Sequence, residues 1–171
     1  MERSELIASR AFLGNEFLTW IWFRSETAEA RIETADGAVA VWIDDRMSLE
    51  TFEGDAQEDR FTGGSPSRSP EARVALQQGK KVSTARLHVG RGERDWTCTI
   101  KGRTLDTASI KIPAIMSKAD DDKFYDRMAL VEELFAILDG LYRAFLDVRL
   151  GGGWAAELKA MQGWSERPAQ G

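Results

Sequence analysis

The sequence predicts an α+β fold, with antiparallel strands packed against an N-terminal aromatic helix and a long C-terminal helix. Three observations carry that prediction. Apolar residues recur every three to four positions over residues 4–24 and again over 120–150, the period of a helix face. Between them, residues 29–53 and 82–112 alternate apolar with polar, the period of a half-buried strand. The chain has 171 residues, 43% hydrophobic and 30% charged. That balance suits a single globular domain over 1–165, followed by a disordered tail over 166–171.

The first helix places Leu6, Leu13, Phe17, Trp20 and Ile21 on one stripe, with Leu18 and Trp22 one residue round. Its segment "EFLTWIWF" is apolar over most of its circumference, so burial on more than one side is expected. Packing between the sheet and the long helix is the simplest reading. Exposure of Phe17, Trp20 and Trp22 for self-association, or stacking of nucleobases on Trp20 or Trp22, are the alternatives. "ADG" at 35–37 separates two alternating segments and predicts a hairpin in which Ile32 meets Val39, Val41 or Ile43. A third short strand is expected over "RMSLETF", and the polar Gly-, Ser- and Pro-rich run 53–70 reads as loop.

In "SPEARVALQQGKK", Ser69 caps a short helix, Pro70 takes its first position, Glu71 meets the positive end of the dipole and Gly79 ends it. Two strands joined by "GRGE" follow. Ala85, Leu87, Val89, Trp96, Cys98 and Ile100 point inward, and Arg86, His88, Thr97, Thr99 and Lys101 outward. A further strand ends at Pro113, with Ile110 and Ile112 inward and Lys111 outward. In the long helix Phe124, Met128, Val131, Phe135, Leu138, Tyr142 and Phe145 form the expected core stripe, and Gly151 to Gly153 stop it. A shorter helix is expected over 154–164.

Several function classes find no support in these residues. No apolar run reaches the roughly 18 residues of a membrane span. The first ten residues mix charges of both signs without an apolar stretch, unlike a secretory signal, so a cytoplasmic location is expected. One cysteine and one histidine, Cys98 and His88, build neither a disulfide nor a Cys/His metal cluster. No metal or cofactor is expected. Asp44, Asp45 and Glu50 could hold a divalent cation in a nuclease, but they read better as a solvated strand end. Asp120 to Asp122 read as helix-start acids. Gly90–Arg91–Gly92 lacks the following helix and Lys–Ser pair of a phosphate loop. The expectation is a protein that is not an enzyme.

The net charge of −5 conceals an asymmetry. Residues 1–65 carry −8, residues 66–118 carry +7 and residues 119–171 carry −4. The positive middle holds Arg68, Arg73, Lys80, Lys81, Arg86, Arg91, Arg94, Lys101, Arg103 and Lys111, interleaved with Ser83, Thr84, Thr97, Thr99 and Ser109. Cations mixed with neutral donors suit phosphate contacts, which carry no sequence information. No recognition helix or zinc finger is visible, so any nucleic-acid binding would be sequence-independent. The same cations could instead pair with acids elsewhere in the fold.

"FLGNEFLTWIWFRSE", "VWIDDRMSLE", "GGSPSRSPEARVALQQGKKVSTARLHV" and "RMALVEELFAILDGLYRAFLDVRL" resemble, in order, the C-terminal portion of the RdgC family of recombination-associated proteins. The resemblance runs over about residues 11–165, and the Gly-Gly pair, capped helix and "GKKV" are its most specific part. It implies a nucleoid-associated homodimer that binds duplex DNA without sequence preference and restrains RecA-promoted strand exchange by occupying the DNA. Lys80 and Lys81, in the matching "GKKV", are the contacts it points to. The family's members carry a region before the aromatic helix, so this chain corresponds to a part of them. A protein-interaction module without DNA affinity is the alternative reading, and a metal-dependent nuclease the weaker one.

Overall fold

The computed structural model describes residues 3–51 and 57–169, with side chains from Phe12 onward. The fold is α+β, as the sequence predicts. Its elements run α1 (Arg3–Thr27), β1 (Arg31–Thr34), β2 (Gly37–Glu50), β3 (Glu58–Thr62), a 3-10 turn (Pro66–Arg68), α2 (Pro70–Gln77), β4 (Lys81–Arg91), β5 (Arg94–Lys101), β6 (Asp106–Lys111), α3 (Asp120–Leu150) and α4 (Trp154–Ser165). All strands pair antiparallel in one six-stranded sheet, ordered β1-β2-β4-β5-β6, with β3 also on β2.

The expected hairpin forms, with Ile32 opposite Val39 across a turn whose Gly37 has φ +110°. Only glycine takes that conformation freely. The separate third strand does not exist. "RMSLE" continues β2, a strand of 14 residues that carries β1 along its first half and β3 along its second. A register shift between Ile43 and Met47 bends it, which is how Asp44 and Asp45 interrupt the alternation without ending the strand. The expected loop over 53–70 contains β3, whose single large apolar residue, Phe61, gave no alternating signal. Residues 52–56 of that region lie outside the described residues.

The helices pack on one face of the sheet. On that face Val39, Val41, Ile43, Ala85, Leu87, Val89, Trp96, Cys98 and Ile100 are buried, in line with the predicted alternation. Against them lies α1, in which Phe17, Leu18, Trp20, Ile21, Trp22 and Phe23 are all at most 4% exposed. Phe17 meets Tyr142 and Phe145 of α3, and Trp22 meets Trp164 of α4 edge-on at 5.1 Å. The segment is therefore core, each side chain worth about 2–3 kcal/mol in burial. Phe17, Trp20 and Trp22 are correspondingly not a self-association surface. Three other elements already cover them.

Close approach has its own sequence requirement. A Cβ on Gly14 would lie 1.7 Å from the carbonyl oxygen of Gly102, so α1 touches the turn after β5 backbone to backbone. Ser69 caps α2 as predicted, accepting from the amide of Ala72, with Gly79 at φ +89° just past the helix end. Glu166 and Arg167, at the start of the expected disordered tail, close the end of α4, where their amides donate to the Gln162 and Trp164 carbonyls. Residues 170 and 171 lie outside the described residues.

Candidate functional site

The ten cations singled out in the sequence do not gather on one side. Six are bound by carboxylates of the chain itself: Arg73 by Glu26, Lys80 by Asp59, Lys81 by Glu16, Arg86 by Asp44 and Asp45, Arg94 by Glu133, and Arg103 by Glu50. Each pair joins segments far apart in the chain, and the buried ones, Arg73, Lys80 and Arg86, tie the fold together. Arg73 is only 4% exposed and its guanidinium sits 4.1 Å from the Trp164 ring centroid. Lys80 and Arg86 are buried as well, at 9% and 8%. Burial pushes the Lys81 ammonium below its usual range, against the pull of Glu16, which Arg149 shares at 2.7 Å.

Of the remaining four, Arg68 lies in the 3-10 turn and Arg91 at the end of β4. Lys101 and Lys111 lie on the sheet face that carries no helix. Register places Lys111 opposite Thr97, and Lys101 opposite Thr84, so two lysines and the threonines Thr84, Thr97 and Thr99 share one open surface. The same face carries an arrangement with no sequence signal. Trp42 stacks on His88 at 4.0 Å with an interplanar angle of 11°, and the His88 ring nitrogen meets Asp95 at 3.2 Å. Cross-strand register alone creates that pair, since Trp42 and His88 lie 46 positions apart in the chain and opposite one another on β2 and β4. No family model and no curated protein matches this sequence.

Of the nuclease residues, Asp44 and Asp45 share one partner while Glu50 is engaged by others. Asp44 and Asp45 face Arg86, whereas Glu50 accepts from Asn15 and from Arg103. Among the described residues, no cluster of three or more His, Cys, Asp and Glu gathers in metal-binding geometry. Cys98 is fully buried, and burial pushes its thiol up to about 11, away from nucleophilic duty at neutral pH. Among the described residues no helix is long and apolar enough to cross a membrane.

The largest departure from expectation lies in α3. Its buried residues are Leu134, Ile137, Leu138, Leu141 and Phe145, all from the middle of the helix onward. Of the seven residues expected to face the core, Phe124, Met128 and Phe135 are 58%, 46% and 48% exposed, with Tyr125 beside them at 67%. Spacing reveals an apolar stripe but not its cover. The helix is 31 residues, about 45 Å; its N-terminal half meets the β4–β5 end of the sheet through Arg94–Glu133 and Trp96 Nε1 donating to the Leu130 carbonyl, and the segment after β6 through Ser117 donating to Asp126.

Proposed function

We propose that this chain is an assembly module of an RdgC-like, DNA-occupying protein, and that its own surface supplies self-association. One observation carries this reading: an apolar stripe in which Phe124, Met128 and Phe135 are exposed and Val131 between them is half-buried. Its spacings of four, three and four are the same read from either end. An antiparallel two-fold pair of α3 helices therefore sets Phe124 of one copy against Phe135 of the other, and Met128 against Val131. A stripe that matches itself under a two-fold axis is what an isologous interface requires. Burying the exposed half of each large side chain is worth about 1 kcal/mol. Eight such side chains across the axis give at most about 8 kcal/mol, which against the low end of an association cost of about 4–15 kcal/mol leaves a weak dimer, in the millimolar range.

Sedimentation velocity from about 10 μM to 1 mM tests it. Wild-type protein is expected to be monomeric at the low end and to move measurably towards dimer at the top of that range. The Phe124→Ser/Phe135→Ser variant, altered at exposed positions only, is expected to remain monomeric with unchanged circular dichroism. A monomer at the highest concentration, or a variant that dimerises like wild type, overturns the reading.

A second reading is sequence-independent contact with the DNA backbone, which the open sheet face favours. Lys101 and Lys111 are exposed there beside neutral hydroxyl donors, the mixture that phosphates accept. Its place in a recombination-linked role rests on the resemblance to RdgC proteins. Fluorescence anisotropy with a random duplex at two salt concentrations addresses it. Lys101→Glu/Lys111→Glu is the informative variant. Reversing Lys80 or Lys81 would break ion pairs that hold β4 to β3 and to α1.

A further inference from the structure

We infer that the cleft where the end of α1, the 3-10 turn and the segment after α4 meet is a binding site for a phosphate monoester. It is a concavity of about 290 Å³ that brings together Arg68, Arg73 and Arg167 from three separate parts of the chain, with Glu26 and Trp164 between them. Ligand pockets begin at about this size, so the space suits one phosphate group and a small portion of what carries it, not a polymer lying flat.

The charge does not cancel. Glu26 is the sole acid in the lining and is fully engaged: it accepts from Trp22 Nε1 at 2.7 Å, Trp164 Nε1 at 2.9 Å and Arg73 Nη2 at 2.7 Å. Arg68 and Arg167 form no ion pair among the described residues. Three guanidiniums against one carboxylate leave an excess of two positive charges, which matches the dianion of a monoester.

The floor of the cleft is preorganised. Arg73 is clamped by Glu26 and by the Trp164 carbonyl, to which Nη1 donates at 2.8 Å, and lies over the rings of Trp22 and Trp164. Its Nε finds no acceptor within the protein. A buried cation held this firmly keeps its charge directed at the cleft without a cost in side-chain ordering. The rim residues are arranged compatibly with an anion. Ser25 and Thr27 turn their hydroxyl hydrogens onto the Trp22 and Phe23 carbonyls, which blunts the negative end of α1. Arg68 and Arg167 are exposed and free to close a bidentate fork on phosphate oxygens. A free small phosphate ester and the phosphorylated end of a nucleic-acid strand present the same group.

Isothermal titration of the full chain separates these sources. The probes are inorganic phosphate, with chloride held constant, and one oligonucleotide with either a terminal 5′-phosphate or a 5′-hydroxyl. Inorganic phosphate is expected to bind once per chain. Arg68→Gln and Arg167→Gln are each expected to weaken it about tenfold, with circular dichroism unchanged. A preference of about tenfold for the phosphorylated oligonucleotide assigns the site to strand ends. Equal binding of the two oligonucleotides, with phosphate still bound, assigns it to small esters. The site is refuted by absence of phosphate binding together with no preference between the oligonucleotides. Phosphate affinity unaltered in Arg68→Gln/Arg167→Gln refutes it equally. Neither result bears on α3 pairing, so this site and the assembly reading stand or fall separately.

Discussion

Arg73 shows how far a residue's role depends on what the fold puts around it. In the sequence it is one cation in a basic stretch; in the structure it ties α2 to α1 and α4 through Glu26 and the Trp164 carbonyl. Arg73→Met should destabilise the fold by about 3 kcal/mol, the lower end for breaking a buried pair, because Glu26 keeps a quarter of its side chain in water. Urea denaturation followed by tryptophan fluorescence measures this. Cys98 gives a pH prediction. Its thiol is raised from 9.0 to about 11 in the folded state, so above pH 9 the unfolded chain loses a proton that the folded chain keeps. Stability from this group is complete below pH 9 and is lost by about pH 11, by about 2 kcal/mol. Urea midpoints taken over that interval should fall more for wild type than for Cys98→Ala; parallel curves would contradict the assignment. Gly14→Ala should cost about 3 kcal/mol or more, since the new methyl meets backbone at Gly102 and nothing there is flexible.

At the scale of elements, α2 was fully legible because its signals are local: Ser69, Pro70, Glu71 and Gly79 act on the backbone within four residues of themselves. Removing the cap in Ser69→Ala should cost about 1 kcal/mol, visible as a lowered thermal midpoint. The length of β2 was not legible. Asp44–Asp45 looks like a strand end in sequence, and only the partner Arg86 on β4 makes it affordable within a strand. Nor was β3, whose residues are polar because one side of a two-strand edge faces water. The long helix divides the same way. Its period is visible in the sequence, but which of its residues are buried and which exposed depends on where the sheet stops. Concentration-dependent melting follows from the proposed pairing: the thermal midpoint should rise with protein concentration for wild type and stay fixed for Phe124→Ser/Phe135→Ser.

For the whole molecule, the charge asymmetry between the middle and the ends resolves largely into internal pairing. Arg94 reaches Glu133 on the helix side of the sheet while Arg86 stays on the open side, so the basic segment is threaded through the fold. Any DNA affinity should therefore carry a shallow salt dependence. Under the second reading, Lys101→Glu/Lys111→Glu should lower the slope of log affinity against log salt by about 2 and weaken all sequences alike. The sequence by itself determined the α+β class, the aromatic helix as core, the capped helix and the alternating faces of β4 and β5, because periodicity and capping are properties of neighbours in the chain. The tertiary structure alone decided which cations are free, that Trp42 stacks on His88, that three arginines share a cleft and that Phe124, Met128 and Phe135 of α3 are left exposed. Those outcomes depend on distances between residues far apart in sequence, where the same charge or ring is core, clamp or surface according to what the folded chain brings against it.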